Sequence, residues 1–315
     1  MNVSTTRIAE WCTEALARLA ALCTSLAIVF ILVFVAIEAL PIVTDSSVRE
    51  EVTVDQMVFQ QDIDPTQEKG WAWQPTSRTP RYSLAPLILG SLKAAFVALL
   101  VAVPLGIAAA LYTSEFASQR AREFIKPIIE LLAGIPSVVL GFFALLVLAD
   151  FLQSVFGYPF RLNAINAGLM LGFAIVPIIF TISEDSLSAV PHSQRDAALA
   201  LGATHWQVTW TVVLPAALPG VVSGIVLGFG RAMGETMIVL MASGNAAMVS
   251  LDLTDSVRTI AATIASEMAG AVTGSAHYTV LFVLGLVLFA FTFMTNLGSQ
   301  LILDRLRHRL QGSRV

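Results

Sequence analysis

The sequence predicts an all-α integral membrane protein with six transmembrane helices, and three observations predict it. Hydrophobic residues make up 56% of the chain and charged residues only 13%, about half the roughly 25% of an ordinary globular domain. Mean hydropathy is +0.78. Six stretches are apolar over about 20 residues, the length a helix needs to cross a bilayer core of about 30 Å. A length of 315 residues by itself suggests two soluble domains. Too few polar groups remain to wet the outside of such a particle, so lipid is the solvent for most of its surface. A disordered chain, a secreted disulfide scaffold and a nucleic-acid-binding protein are excluded. The net charge of −4 offers no global basic footprint.

The spans follow in order. Leu19–Ile37 carries no charge. It is longer than a signal-peptide core, and Glu10 and Glu14 offset Arg7 and Arg18 before it, so it reads as a retained anchor. Ala94–Leu111 has Lys93 at its edge, read as a snorkelling flank together with Glu130. Leu131–Ala149 is clean, and Leu162–Ser183 holds only Asn163 and Asn166. Thr211–Gly230 continues apolar to Ala242, interrupted by Arg231 and Glu235; Tyr278–Leu303 is the last. Pro104, Pro136, Pro177, Pro215 and Pro219 predict kinks, whose freed carbonyls need neighbouring helices or water. Cys12 and Cys23 are read as apolar filler.

Lysine and arginine place both termini in the cytoplasm. That orientation puts ten of them inside (Arg7, Arg18, Arg120, Arg122, Lys126, Arg195, Arg305, Arg307, Arg309, Arg314) and six outside (Arg49, Lys69, Arg78, Arg81, Arg161, Arg258). The chain divides into residues 1–43 (cytoplasmic segment and first helix), an outer loop at 44–83, a five-helix core at 84–303 and a basic tail at 304–315. The loop contains WAWQP at Trp71–Pro75, whose tryptophans fit the headgroup level, with contact with a soluble partner as the alternative.

The most informative stretch is the inner loop at 184–214. Pro191 fits a helix start, Asp196–Leu201 is a helix-forming run, Gly202 supplies a tight turn, and Thr204 is a plausible N-cap. The expectation is a short helix–turn–helix on the inner face that runs into the fifth span through Leu214 and Pro215. Its small residues Ala197, Ala198 and Ala200 suit a knob over which another protein's groove closes. An ordinary interfacial helix pair is the plainer alternative.

Arg231 lies within an apolar span, where an arginine costs about 2.5–3.5 kcal/mol on insertion scales. It is expected to face the bundle interior, with Glu235 one turn later on the same helix face. The plainer alternative is an intrahelical ion pair that merely neutralises the helix. No H-E-x-x-H or comparable spacing links His192, His205, His277 and His308, and no metal is expected. None of Lys69, Lys93 and Lys126 follows a glycine, so a G-x-x-x-x-G-K-[ST] phosphate loop is impossible here. Any ATP, with its Mg, is bound by a separate polypeptide; this chain is expected to bind no cofactor and to be no enzyme.

DAALALGA followed by VVLPAALPG, at 196–203 and 212–220, resembles the EAA loop of binding-protein-dependent ABC importer permeases. Asp196 stands where the family pattern has Glu and keeps the charge. GRAMGETMIVLMASGN at Gly230–Asn245 and IKPIIELLAGIPSVVLGF at Ile125–Phe142 are similar to phosphate permeases. TIAATIASEMAGAVTGSAHYTVLF at Thr259–Phe282 resembles their PstC branch rather than PstA. The resemblance implies the type I ABC importer (MetI-like) fold and phosphate import by alternating access across a bacterial inner membrane. It implies a homologous PstA-like permease, two PstB-like ATP-binding subunits and an extracytoplasmic PstS-like phosphate-binding protein as partners. On that implication Asp196, Ala197, Ala198, Gly202, Ala203 and Thr204 dock on the ATPase. Arg231 then meets phosphate in passage, while Glu235 positions it and weakens anion retention. A permease for sulfate or molybdate and a phosphate-sensing membrane scaffold stay open as alternatives; an intramembrane enzyme is more distant.

Overall fold

The structure is a computed structural model that describes the backbone of residues 3–62 and 69–312 and the side chains of 13–61 and 70–301. The expectations placed on Arg7, Cys12, Lys69 and the basic tail at 304–315 fall on side chains outside that set. Six helices are long and apolar enough to cross a membrane: Thr13–Thr44, Ala85–Phe116, Ser137–Phe156, Ala164–Ser188, His205–Gly234 and Ala276–Leu301. They are the first to sixth spans below.

Three spans form the core. The second and fourth lie back to back, and the fifth packs on the fourth. In lipid there is little hydrophobic drive between helices, so small residues that let backbones approach supply the contact. A Cβ on Gly168 would stand 2.5 Å from Val97 Cβ, and one on Gly172 would stand 2.9 Å from the Ala98 carbonyl oxygen. Ala95, Ala98, Ala102 and Ala167 fill the same seam beside Leu171, Ile175 and Ile179. Gly220 meets Ser186, and Gly224 and Gly228 meet Ile182 and Ile179. The sixth span rests on the fifth, with Phe229 and Phe291 ring centroids 6.2 Å apart. The first span packs on the sixth, where Phe34 meets Phe282 edge-on. Most of its remaining surface is exposed and apolar, as expected of a helix that faces lipid or a partner.

Several span boundaries differ from the sequence expectation: the second span begins at Ala85 rather than Ala94, which places Lys93 inside it, and the fifth at His205 rather than Thr211. Residues Leu131–Ala133 end a separate amphipathic helix, Gln119–Ala133, and the third span begins at Ser137 after a break at Gly134–Pro136. Proline disfavours the helical conformation of the residue before it, and glycine ends helices readily. The apolar run across the break hid it. The fifth span stops at Gly234 rather than running to Ala242, and a short helix, Met237–Ala242, follows. Pro104, Pro177 and Pro219 sit inside continuous helices.

The described residues of the segment at 44–83 are structured. Short helices Ser46–Glu51 and Val54–Val58 and two small β-hairpins pack Val48, Val52, Met57, Trp73 and Tyr82 against Ile260, Val280 and Leu284. Trp73 is buried in the chain's own core rather than exposed as an interfacial tryptophan is. Its Nε1 donates to Glu267 at 3.1 Å, and its ring meets Tyr82 edge-on. Glu267 also pairs with Arg258 and, through Oε2, stands 3.5 Å from His277 Nε2.

Lys93 is likewise no snorkelling flank. It is 7% exposed, and its Nζ donates to the Ser250 and Asp252 carbonyls. A buried ammonium needs such acceptors. It anchors the loop that follows the Met237–Ala242 helix. That loop in turn occupies the free N–H groups at the start of the fourth span: Ala164 N donates to Asp255 O and Ile165 N to Leu253 O.

Candidate functional site

Two places carry the chemistry that the sequence singled out. The first is the end of the fifth span. Gly230 and Gly234 weaken the last turns, since glycine loses the most conformational freedom in a helix. The helix ends, and Glu235 is extended at φ −68°, ψ 130°. Its carboxylate turns to the next helix, accepting from Met237 N at 3.2 Å, where the N-terminal end of a helix favours negative charge. Arg231 and Glu235 therefore do not share a helix face, and no ion pair joins them. This corrects the expected i+4 register and the expectation that Glu235 positions Arg231. Arg231 is exposed and has no hydrogen bond or ion pair among the described residues, so the expected interior partner is not found among them.

The surface around it is open. A Cβ built on Gly230 or Gly234 meets nothing within 4 Å. The break at Glu235 lies beside the third span: Gly141 approaches Met237 O, Ile238 Cα and Met241 Sδ so closely that its Cβ would stand 2.7 Å from that sulfur. One helical turn before Gly141 is Ser137, the start of the third span. The first turns of the third span and the Met237–Ala242 helix are thus packed against each other, and residues Leu131–Pro136 leading into the third span are exposed.

The second place is the inner hairpin. His192–Ala200 is a helix that starts after Pro191, and His205–Val208 starts after Thr204. Between them Gly202 adopts φ +86°, a left-handed conformation that costs a side-chain-bearing residue about 1–2 kcal/mol. Thr204 and Gln207 form a reciprocal capping box: Gln207 N donates to Thr204 Oγ1, and Thr204 N donates to Gln207 Oε1 at 2.8 Å. The second helix is the start of the fifth span and runs without interruption through a wide turn at Thr209–Val213 to Gly234. The wide turn precedes Pro215, whose ring would clash with the Thr211 carbonyl in a regular helix. Asp196, Ala197, Gly202 and Thr204 are exposed, and Leu201 is 90% exposed. Ala198 and Ala203 turn inward against Val190, Val208 and Val213.

Three cations that the sequence reading uses only for orientation make the polar contacts here: Arg195 fastens the hairpin, and Arg122 and Lys126 fasten the Gln119–Ala133 helix beside it. Arg195 Nη2 donates to Glu115 Oε1 at 2.8 Å and to Leu187 O at 2.8 Å, and Nη1 donates to Val190 O. Arg122 donates to Thr113 O and Ser114 O at the C-terminal end of the second span. Lys126 Nζ donates to Glu184 Oε2 at 2.7 Å, and this bond is the largest cause that holds the Lys126 ammonium above the usual lysine range. Arg195 lies in the hairpin's first helix, next to Asp196, and the sequence reading counts it only as one of the inside charges.

The family described as "Binding-protein-dependent transport system inner membrane component" matches residues 102–308. Among curated proteins, the chain is 36% identical over 222 residues to the "Probable ABC transporter permease protein YqgH" of Bacillus subtilis, covering 70% of this chain and 72% of that one. It is 35% identical over 257 residues to "Phosphate transport system permease protein PstC" of Mesorhizobium japonicum, covering 76% and 78%. Among solved structures, the fold is similar to a bacterial alginate ABC transporter in complex with its alginate-bound periplasmic protein, with TM-score 0.57 and 15% identity over 89% of this chain and 92% of that one. It is also similar to the inward-facing MetNI methionine ABC transporter, with TM-score 0.53 and 18% identity over 71% and 94%. At such identities the likeness is one of fold, that of type I ABC importer permeases.

Proposed function

Because the chain belongs to the binding-protein-dependent transport system inner membrane components, we propose that it is the permease subunit of an ATP-driven importer of inorganic phosphate. The relatives named as phosphate transport permeases support the cargo. The structural observation that carries the reading is the unpaired, exposed Arg231 on an open glycine face inside an apolar span. An arginine in that position is unfavourable against lipid, so the face is turned to a water-filled path or a partner. A planar guanidinium donates to two phosphate oxygens at once. Glu235, bonded to the start of the next helix, fixes the interruption and sets a negative charge beside the path. That charge keeps phosphate from binding too tightly to leave.

A homologous PstA-like permease completes the path against the exposed break at Leu131–Pro136. Two PstB-like ATP-binding subunits hold ATP and Mg and dock on the hairpin face at Asp196, Ala197, Gly202 and Thr204, with the inward-turned Ala198 and Ala203 supporting that face from beneath. A PstS-like binding protein delivers phosphate at the outer face. The complex lies in the bacterial cytoplasmic membrane with both termini of this chain inside, and this chain performs no ATP chemistry of its own. ATP favours the state with inner loops together and the loaded binding protein favours the outward-open state, which is how two ligands shift one equilibrium.

The test is phosphate uptake by proteoliposomes that contain the four components. Arg231→Ala is expected to lower uptake at least about tenfold in a complex that still assembles, the loss expected of about 1.4 kcal/mol or more. Undiminished uptake removes Arg231 from the path, and equal inhibition by phosphate, sulfate and molybdate removes phosphate selectivity.

A further inference from the structure

The inner hairpin is an exposed knob on a short connection, and a short connection by itself bends. What stiffens it is a single buried group. The Arg195 side chain is 13% exposed and its partner Glu115 is 10% exposed. Glu115 lies in the last turn of the second span, at Tyr112–Phe116. The two carbonyls that Arg195 also reaches, Leu187 and Val190, lie at the inner end of the fourth span and just beyond it. One guanidinium therefore joins three elements: the hairpin, the second span and the fourth span. The guanidinium geometry suits this, because its donors form a rigid planar fork, whereas a lysine would offer one mobile point. Ser114 Oγ donates to Glu115 Oε1 at 2.9 Å and fixes the carboxylate from behind.

We propose that Arg195 and Glu115 form the strut that makes the hairpin and the second and fourth spans one rigid lever, so that movement imposed on the hairpin reaches the path. Both are positioning residues: neither touches phosphate or nucleotide. The inference rests on the reading that the hairpin is gripped by the ATPase. It adds where the force goes, into the inner ends of the second and fourth spans, in addition to the continuous helix that carries it into the fifth. Removing one member of a buried pair leaves the other charge uncompensated, so the pair acts as a unit.

The experiment uses the assembled complex in proteoliposomes and reads phosphate moved per ATP hydrolysed. Glu115→Gln and Arg195→Gln are each expected to lower that ratio about tenfold, within the usual range of coupling between sites, while hydrolysis continues. The double variant is expected to be no worse than either single one, as for residues that act together. A wild-type ratio in either single variant overturns the strut, as do losses that multiply in the double variant or a complex that falls apart with Arg195→Gln.

A second measurement does not depend on turnover. Spin labels at Ala200 and Leu105, both exposed, are placed in a Cys12→Ser, Cys23→Ser background. The strut predicts the same label distance with and without ATP, and a distance that shifts on ATP binding contradicts it. Ala197→Arg, on the exposed face, separates the two readings. If it fails to weaken ATPase capture, the docking reading fails, while the label distance still reports on the strut.

Discussion

At Arg231 a charge stands within an apolar span with no counter-ion among the described residues, and its identity was readable from the sequence although its surroundings were not. The spacing to Glu235 implied a shared helix face. The helix instead ends at Gly234, because two glycines weaken its last turns and the Glu235 carboxylate is better placed at the start of the next helix. Lys93 and Trp73 were misplaced for a related reason: each has a common role near a membrane interface, and tertiary partners 157 and 194 residues away in the chain override it. Tyr82 shows what the same outer cap does to ionisation. It is 2% exposed, stacked on His277 and edge-on to Trp73. Burial, then Glu51 and Glu267, push its phenol up to about 12 from the ordinary 10.0. The folded state thus holds that proton more tightly than the unfolded chain does. This contribution to stability is complete below about pH 10 and is lost as pH rises towards about 12. A spectrophotometric phenolate titration of wild type against Tyr82→Phe is expected to assign the difference to a group titrating near 12. A difference centred on pH 10 contradicts the burial of this hydroxyl.

The elements themselves were largely legible. The inner hairpin follows from Pro191, Gly202 and Thr204, whose local chemistry needs no tertiary help, and each occupies the place its residue type favours. The break before Ser137 was visible as Gly134 and Pro136, yet the apolar run across it concealed where one helix ends and the next begins. The seam between the second and fourth spans was not readable, because a glycine in an apolar run looks the same whether it faces lipid or a neighbour. Gly168 is the sharpest test of that seam. A side chain there collides with Val97 Cβ and approaches the Ala94 carbonyl oxygen. Gly168→Leu is expected to destabilise the protein by about 1–3 kcal/mol, the cost of overpacking, seen as a lower Tm in detergent. Gly230→Leu, where nothing lies within 4 Å, is expected to leave Tm unchanged in the isolated chain. An equal fall for both contradicts the assignment of the packed and open faces.

For the molecule as a whole, composition fixed the solvent and the apolar runs fixed the number of spans, because both are sums over many residues and survive local errors. The outer cap at 44–83 was illegible for the opposite reason: its short helices and two-residue strands are held by contacts with Ile260, Val280 and Leu284, far away in sequence. The open faces at Gly230, Gly234 and Leu131–Pro136 and the exposed hairpin are surfaces this chain leaves uncovered, and under the proposed function they belong to a second permease and an ATP-binding subunit. The most direct test is labelled phosphate uptake by proteoliposomes holding the complete importer, with ATP supplied on the side of the inner hairpin. Uptake that requires ATP, the binding protein and this chain together is the predicted result. Phosphate entry by this chain alone, or ATP-driven uptake that survives deletion of residues 192–204, contradicts the account.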